Sequence, residues 1–125
     1  MKIEKRKHSR IEEIGKVESH NLGLFPGVLV DGSKVGCRVR FPDTFEVDVD
    51  IDYELKISPV RHNFVTPFLL IARPIWQKST EDSTEIGFSI LHSPSSKQFE
   101  SYIDKLIEEQ QILVSEQELL NGIKL

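Results

Sequence analysis

The sequence has one cysteine, one tryptophan and one methionine in 125 residues. A single thiol, Cys37, cannot close an internal disulfide. That excludes a secreted disulfide scaffold and a cysteine-rich zinc module, and it fits a reducing, cytoplasmic setting. No apolar run approaches the roughly 18 residues that a membrane-spanning helix requires. The N-terminal stretch Met1-Lys2-Ile3-Glu4-Lys5-Arg6-Lys7-His8 is basic but leads into no apolar segment, so no secretory signal is expected. Walker A, G-x-G-x-x-G and G-x-S-x-G patterns are all absent. No nucleophile has a base placed to serve it, and an enzyme is not expected. The histidines His8, His20, His62 and His92 are scattered, with no pair at metal-ligand spacing. Asp48-Val49-Asp50-Ile51-Asp52 opens like a calcium loop, but Tyr53 stands where that loop needs glycine and Pro59 where it needs a bidentate glutamate. No metal is expected.

What remains is an ordinary globular composition, 38% hydrophobic and 29% charged with a mean hydropathy of -0.27. The length suits one domain, which can bury roughly two thirds of its unfolded surface without a metal or disulfide. The net charge of -4 conceals an asymmetry. Residues 1–10 carry Lys2, Lys5, Arg6, Lys7 and Arg10 against Glu4 alone. Residues 43–54 carry Asp43, Glu46, Asp48, Asp50, Asp52 and Glu54 with no base. A basic segment on an acidic protein suits a localised anionic partner; it is also what a solvated tail looks like.

Between about residue 13 and residue 91 the hydropathy beats in twos. Phe45, Val47, Val49, Ile51, Tyr53, Leu55 and Ile57 alternate with polar residues, predicting one half-buried antiparallel strand or a bent pair. The same beat runs through Cys37, Val39 and Phe41 around Arg38 and Arg40, and through Ile86, Phe88 and Ile90 around Gly87 and Ser89. Gly27 to Val30 and Pro67 to Trp76 are further strands, Pro74 requiring an edge or a bulge. Turn signals separate them at Asn21-Leu22-Gly23, Pro26-Gly27, Asp31-Gly32-Ser33, Pro42-Asp43 and Lys78 to Thr84. Many short strands at this spacing predict a small barrel or sandwich.

After Pro94 the period changes. Ser95 and Gln98 form a capping box, and Phe99, Tyr102, Ile103, Leu106 and Ile107 make one apolar helical face. Ser115 with Glu118 predicts a second, short helix ending at Asn121-Gly122.

Two short motifs carry chemistry. Arg6-Lys7-His8-Ser9-Arg10 has the form R-x-x-x-R, and Asp31-Gly32-Ser33-Lys34-Val35-Gly36 has the form D-x-S-x-x-G. Singly each is weak; about twenty residues apart, with a barrel following and a helix closing, they are specific. The arrangement resembles the PilZ domain, the bacterial receptor module for cyclic di-GMP, from about Lys5 to Leu106. Ile71-Ala72-Arg73-Pro74-Ile75-Trp76 is similar to the family's strand ending in an apolar pair and Trp. Glu85-Ile86-Gly87-Phe88 is similar to its I-G-x-x-F strand, with Phe directly after Gly. Gly32 stands where the family usually has an aliphatic residue, and Val35 where a second Gly is frequent. The resemblance implies a mainly β fold, a six-stranded antiparallel barrel with a C-terminal helix. Residues 1–12 would be the basic arm, 13–94 the barrel and 95–125 the helical segment, all one domain.

It also implies roles. Arginine's planar fork suits guanine O6 and N7 or a phosphate, so Arg6 and Arg10 would wrap the ligand. Asp31 would accept from guanine N1–H and the exocyclic amine, Ser33 would add a hydroxyl contact, and Gly36 would permit close approach. Asp31, Ser33 and Gly36 would also suit a plain tight turn. Trp76 has two readings, an aromatic face for a base or barrel packing. Lys5 before the first arginine suits a second ligand's phosphate and favours a stacked pair. With no catalytic, DNA-binding or membrane domain in these residues, a sensor of this kind would act through an unidentified effector protein in motility, pili or biofilm control. Two alternatives stand beside it: a PilZ-like adaptor that binds protein without nucleotide, and a small barrel binding single-stranded nucleic acid. The pI near 5.6 and the lack of a paired aromatic platform argue against the latter.

Overall fold

The alternation of the sequence closes on itself. The computed structural model describes residues 11–60 and 66–122. Its elements are β1 (Ile11–Glu18), β2 (Gly27–Gly32), β3 (Gly36–Phe41), β4 (Tyr53–Pro59), β5 (Phe68–Ser79), β6 (Thr84–Leu91) and α1 (Ser96–Gly122). The strands form a closed, wholly antiparallel barrel in the order β1-β2-β3-β6-β5-β4. The six-stranded antiparallel barrel with a C-terminal helix is therefore what the chain forms.

Inward positions of each strand meet at the axis. Val17, Leu29, Val39, Phe41, Leu55, Ile57, Leu70, Ile86 and Phe88 are fully buried, each worth about 1.5–3 kcal/mol of transfer free energy. Cys37 is buried among them as a small apolar side chain. The helix closes the barrel with the face its periodicity predicts: Phe99, Tyr102, Ile103 and Leu106 are buried. Phe68 receives both Phe99, edge-on with ring centroids 5.5 Å apart, and Tyr102 at 5.2 Å.

Three expectations are corrected. The run from Phe45 to Ile57 is not a single strand; only its second half belongs to β4. β3 and β4 stand three places apart in the ring, so the chain between them must cross the end of the barrel. In the crossing, side chains replace the ladder. Phe45 N–H donates to Thr84 Oγ1 (3.1 Å), Val47 N–H to Gln77 Oε1 (2.8 Å) and Asp48 N–H to the Tyr53 hydroxyl (3.2 Å). Asp48 Oδ1 accepts from Asp50 N–H at 2.9 Å, so the aspartates sit on a turn and not on a strand face.

The helix is continuous from Ser96 to Gly122, with no break at Ser115. Its expected capping box is not used either. Ser95 Oγ accepts from Leu69 N–H (3.0 Å), pinning the helix entry to β5, while Ser96 Oγ accepts from Ser93 N–H (2.8 Å). The expected irregularity at Pro74 is present as a register shift between Pro74 and Trp76. No edge is available to a proline in a closed ring, so the bulge absorbs its missing N–H.

Candidate functional site

The strand register sets two of the described candidate residues, Asp31 and Trp76, in one row on the outer wall. Asp31 on β2 is opposite Arg38 on β3, Arg38 is opposite Gly87 on β6, and Gly87 is opposite Trp76 on β5. These four positions form a row across the outside of the barrel, at about 4.8 Å per strand. Arg38 lies between the inward-facing Cys37 and Val39, which fixes its outward direction.

Gly87 is the flat place in the row. A Cβ built there would fall 2.1 Å from Trp76 Nε1 and 2.2 Å from Cε2, so the indole lies directly across the glycine backbone. Trp76 keeps 43% of its surface exposed. One face of Trp76 packs on the barrel and the remainder is open.

At the other end of the row Asp31 is mostly covered, and its Oδ2 meets Arg38 Nη2 at 2.9 Å. Arg38 Nη1 is 3.5 Å from Glu85 Oε1, and Glu85 Oε2 takes a fork from Arg40, Nη2 at 3.0 Å and Nε at 3.2 Å. Asp31, Arg38, Glu85 and Arg40 thus form an alternating ionic ladder that carries no net charge. Nearby Arg73 is held by Asp52 (Nε–Oδ1 2.8 Å, Nη2–Oδ2 3.2 Å). That hydrogen bond and the attraction of the carboxylate raise its pKa above the usual arginine value, so it is cationic throughout the accessible range.

The Asp31–Gly36 turn is built by Ser33. Ser33 N–H donates to Gly36 C=O at 2.8 Å, and Ser33 Oγ accepts from Val35 N–H (3.3 Å) and Gly36 N–H (3.2 Å). Ser33 is 1% exposed, so its oxygen first serves the turn. A Cβ on Gly36 would lie 3.0 Å from Phe88 C=O, which makes this glycine a close-packing residue against β6. Lys34, on the outside of the turn, pairs with Asp104 of α1 at 2.7 Å.

Lys5, Arg6 and Arg10 lie outside the described residues. What is described is where their segment attaches: Ile11 is paired with Gly32, and Glu12 with Asp31. The basic segment is rooted beside the D-x-S-x-x-G turn.

A cavity of about 340 Å³, lined by Glu18, His20, Leu24, Phe25, Lys56 and Leu69 among others, lies elsewhere. It opens beside β4, three strands round the ring from β3, and contains none of the candidate residues. Among the described residues no group of His, Cys, Asp and Glu could hold a metal ion, and no helix is long and apolar enough to cross a membrane.

No protein-family model matches the sequence, and no curated protein matches it. Solved structures do. The Bacillus subtilis inhibitor of motility MotI/DgrA superposes with a TM-score of 0.69 at 12% identity, over 87% of this chain and 52% of that one. The PilZ domain of YcgR from Escherichia coli, with cyclic di-GMP, superposes with a TM-score of 0.63 at 15% identity, over 90% of this chain and 98% of that one. This chain has the PilZ-domain fold. It spans about half the length of MotI/DgrA and nearly all of the YcgR domain.

Within the PilZ fold, two residues of the outer row were not singled out by sequence. Arg38 reads only as one polar position of an alternating strand, and Gly87 only as part of a strand motif. Their place beside Asp31 and Trp76 follows from register, which joins residues 31, 38, 87 and 76 across four strands.

Proposed function

We propose that this chain is a cyclic di-GMP receptor that passes its signal to a protein partner and is not an enzyme. The observation that carries the reading is the pairing of Ile11 with Gly32, which roots the R-x-x-x-R segment beside Asp31 and Ser33, on the wall that also presents Trp76. The likeness to the YcgR PilZ domain with cyclic di-GMP supports the same ligand.

The charge distribution divides the labour. The described wall is neutral, with Arg38 and Arg40 matched by Asp31 and Glu85, Lys34 by Asp104, and Arg73 by Asp52. The two phosphodiester charges therefore fall to Lys5, Arg6 and Arg10, whose charge-assisted hydrogen bonds are the strong ones. The wall supplies base recognition: Asp31 for the guanine donors, Trp76 for a stacking face, and the turn held by Ser33 and Gly36 for shape. Lys5 suits a second ligand molecule in a stacked pair. Contacts from Lys5, Arg6 and Arg10 to phosphate and guanine change the surface beside the Asp31–Gly36 turn. The altered surface is what the partner reads. The likeness to an inhibitor of motility favours motility as the output, in the cytoplasm.

Calorimetric titration with cyclic di-GMP tests this, alongside Arg10→Ala and a GTP control. Saturable binding that the variant loses and GTP does not reproduce is the expected result. No heat, with an unchanged NMR spectrum on adding ligand, would overturn nucleotide recognition and leave a protein-binding adaptor on the same scaffold.

A further inference from the structure

We infer that Arg38 is a specificity residue of this site, reading guanine O6 while its ion-pair partner Asp31 reads N1–H and the exocyclic amine. The inference rests on the proposed receptor function and extends it to a residue outside both sequence motifs.

The argument starts from the geometry of the pair. Arg38 Nη2 and Asp31 Oδ2 are 2.9 Å apart, on adjacent strands and in the same outward row. The edge of guanine that bears N1 presents two donors, N1–H and N2–H, beside one acceptor, O6. A carboxylate flanked by a guanidinium offers the complementary order, an acceptor beside a donor. Adenine presents the opposite sense there, a donor at N6 beside an acceptor at N1. It would set its amine against the guanidinium and its lone pair against the carboxylate.

Arg38 has the capacity for this contact. Guanidinium carries five N–H groups. Asp31 engages one nitrogen at 2.9 Å, and Glu85 stands off at 3.5 Å from another. The Arg38 side chain is 37% exposed against 12% for Asp31, so it is the more accessible member of the pair. Its position is also held on both sides. Glu85 attracts the guanidinium along the sheet from 3.5 Å, and Gly87, its other cross-strand neighbour, leaves no side chain between it and the indole of Trp76. A base stacked on Trp76 can place its polar edge along the row toward Arg38 and Asp31.

The test is titration of the wild type, Arg38→Met and Arg38→Lys with cyclic di-GMP, cyclic di-AMP and cyclic di-IMP. The inosine ligand keeps O6 and N1–H but lacks the exocyclic amine. Arg38→Met is expected to weaken cyclic di-GMP by about 10- to 100-fold, the range of a good base contact, and not to weaken cyclic di-AMP, whose amine no longer meets the guanidinium. Arg38→Lys keeps the charge without the fork and falls between. Cyclic di-IMP is expected to lose the same factor as cyclic di-GMP in Arg38→Met. If Arg38 acted only by holding Asp31, the loss would shrink with the ligand that gives Asp31 less to bind, and the O6 contact would be overturned. Thermal melts of both variants establish that the barrel is folded, and the lysine variant decides the matter if the methionine one is not. A wild type that binds while both variants keep full affinity and guanine selectivity overturns this inference alone. A wild type that binds none of the three nucleotides overturns the receptor reading and this inference with it.

Discussion

Replacing Gly87 by alanine adds one carbon at the point where the indole of Trp76 crosses the sheet. That carbon would lie 2.1 Å from Nε1 and 2.2 Å from Cε2, far inside contact distance, so the ring must leave its seat. A tryptophan buries up to about 250 Å². With 43% of Trp76 exposed, roughly 140 Å² is covered, worth about 3.5 kcal/mol at about 25 cal/mol per Å². The displaced ring recovers part of this on the neighbouring surface. Alanine also restricts the unfolded chain, a gain of about 0.4–1 kcal/mol. The net loss is expected at about 1–3 kcal/mol. An unfolding entropy of about 0.26 kcal/mol per kelvin for a chain of this length turns that into a fall in Tm of about 4–12 °C. Trp76 is the sole tryptophan, so its emission reports the displacement directly and should shift to the red. Cyclic di-GMP affinity should fall with it, because the stacking face has moved. A variant that melts within about 2 °C of the parent with unchanged emission would refute the packing argument, since no accommodated ring could share that space.

Other substitutions probe separate parts of the molecule. In Gly15→Ala the new Cβ would lie 2.4 Å from Ser58 C=O across the β1–β4 seam; a backbone atom cannot swing aside, so a loss of about 1–3 kcal/mol is expected in urea unfolding, with Trp76 emission unchanged. Ser93→Ala removes an Oγ that accepts from Ile71 N–H (2.7 Å) and donates to Leu91 C=O (2.6 Å); a lower urea midpoint at constant slope, equivalent to about 1–3 kcal/mol, is the expected outcome. Ser33→Ala leaves Val35 and Gly36 N–H without their acceptor, at about 0.5–1.5 kcal/mol, and NMR amide shifts should be confined to the turn while ligand affinity falls.

Strands whose partners all lie within the ring were legible from period two alone, as β3 and β6 show, and Pro74 announced its bulge because a proline has no N–H to give. The crossing from Pro42 to Asp52 was not legible. Its apolar beat is that of a strand, but Phe45 and Val47 amides are satisfied by Thr84 and Gln77, long-range acceptors that no local pattern encodes, and Asp48 by the hydroxyl of Tyr53. The helix entry misled for the same reason: Ser95 has the spacing of a cap, but its hydroxyl is taken by Leu69 of β5. At the site, Asp31, Ser33 and Trp76 could be picked out by residue type and motif. Arg38 and Gly87 could not, because their roles arise only when strand register sets them beside Asp31 and Trp76.

The helix that closes the barrel does so with only its first half. Phe99, Tyr102, Ile103 and Leu106 are packed, whereas every side chain from Gln110 to Gln117 is exposed, Ile112, Leu113 and Val114 included. The helix beyond Ile107, from Glu108 to Gly122, extends about 22 Å at about 1.5 Å per residue. It is a lever whose fulcrum is the barrel mouth, and Lys34 of the Asp31–Gly36 turn grips it near that fulcrum through Asp104. A tilt of about 10° at the packed half would sweep the far tip through about 4 Å. A displacement too small to disturb the core at one end becomes, at the other, the width of a side chain.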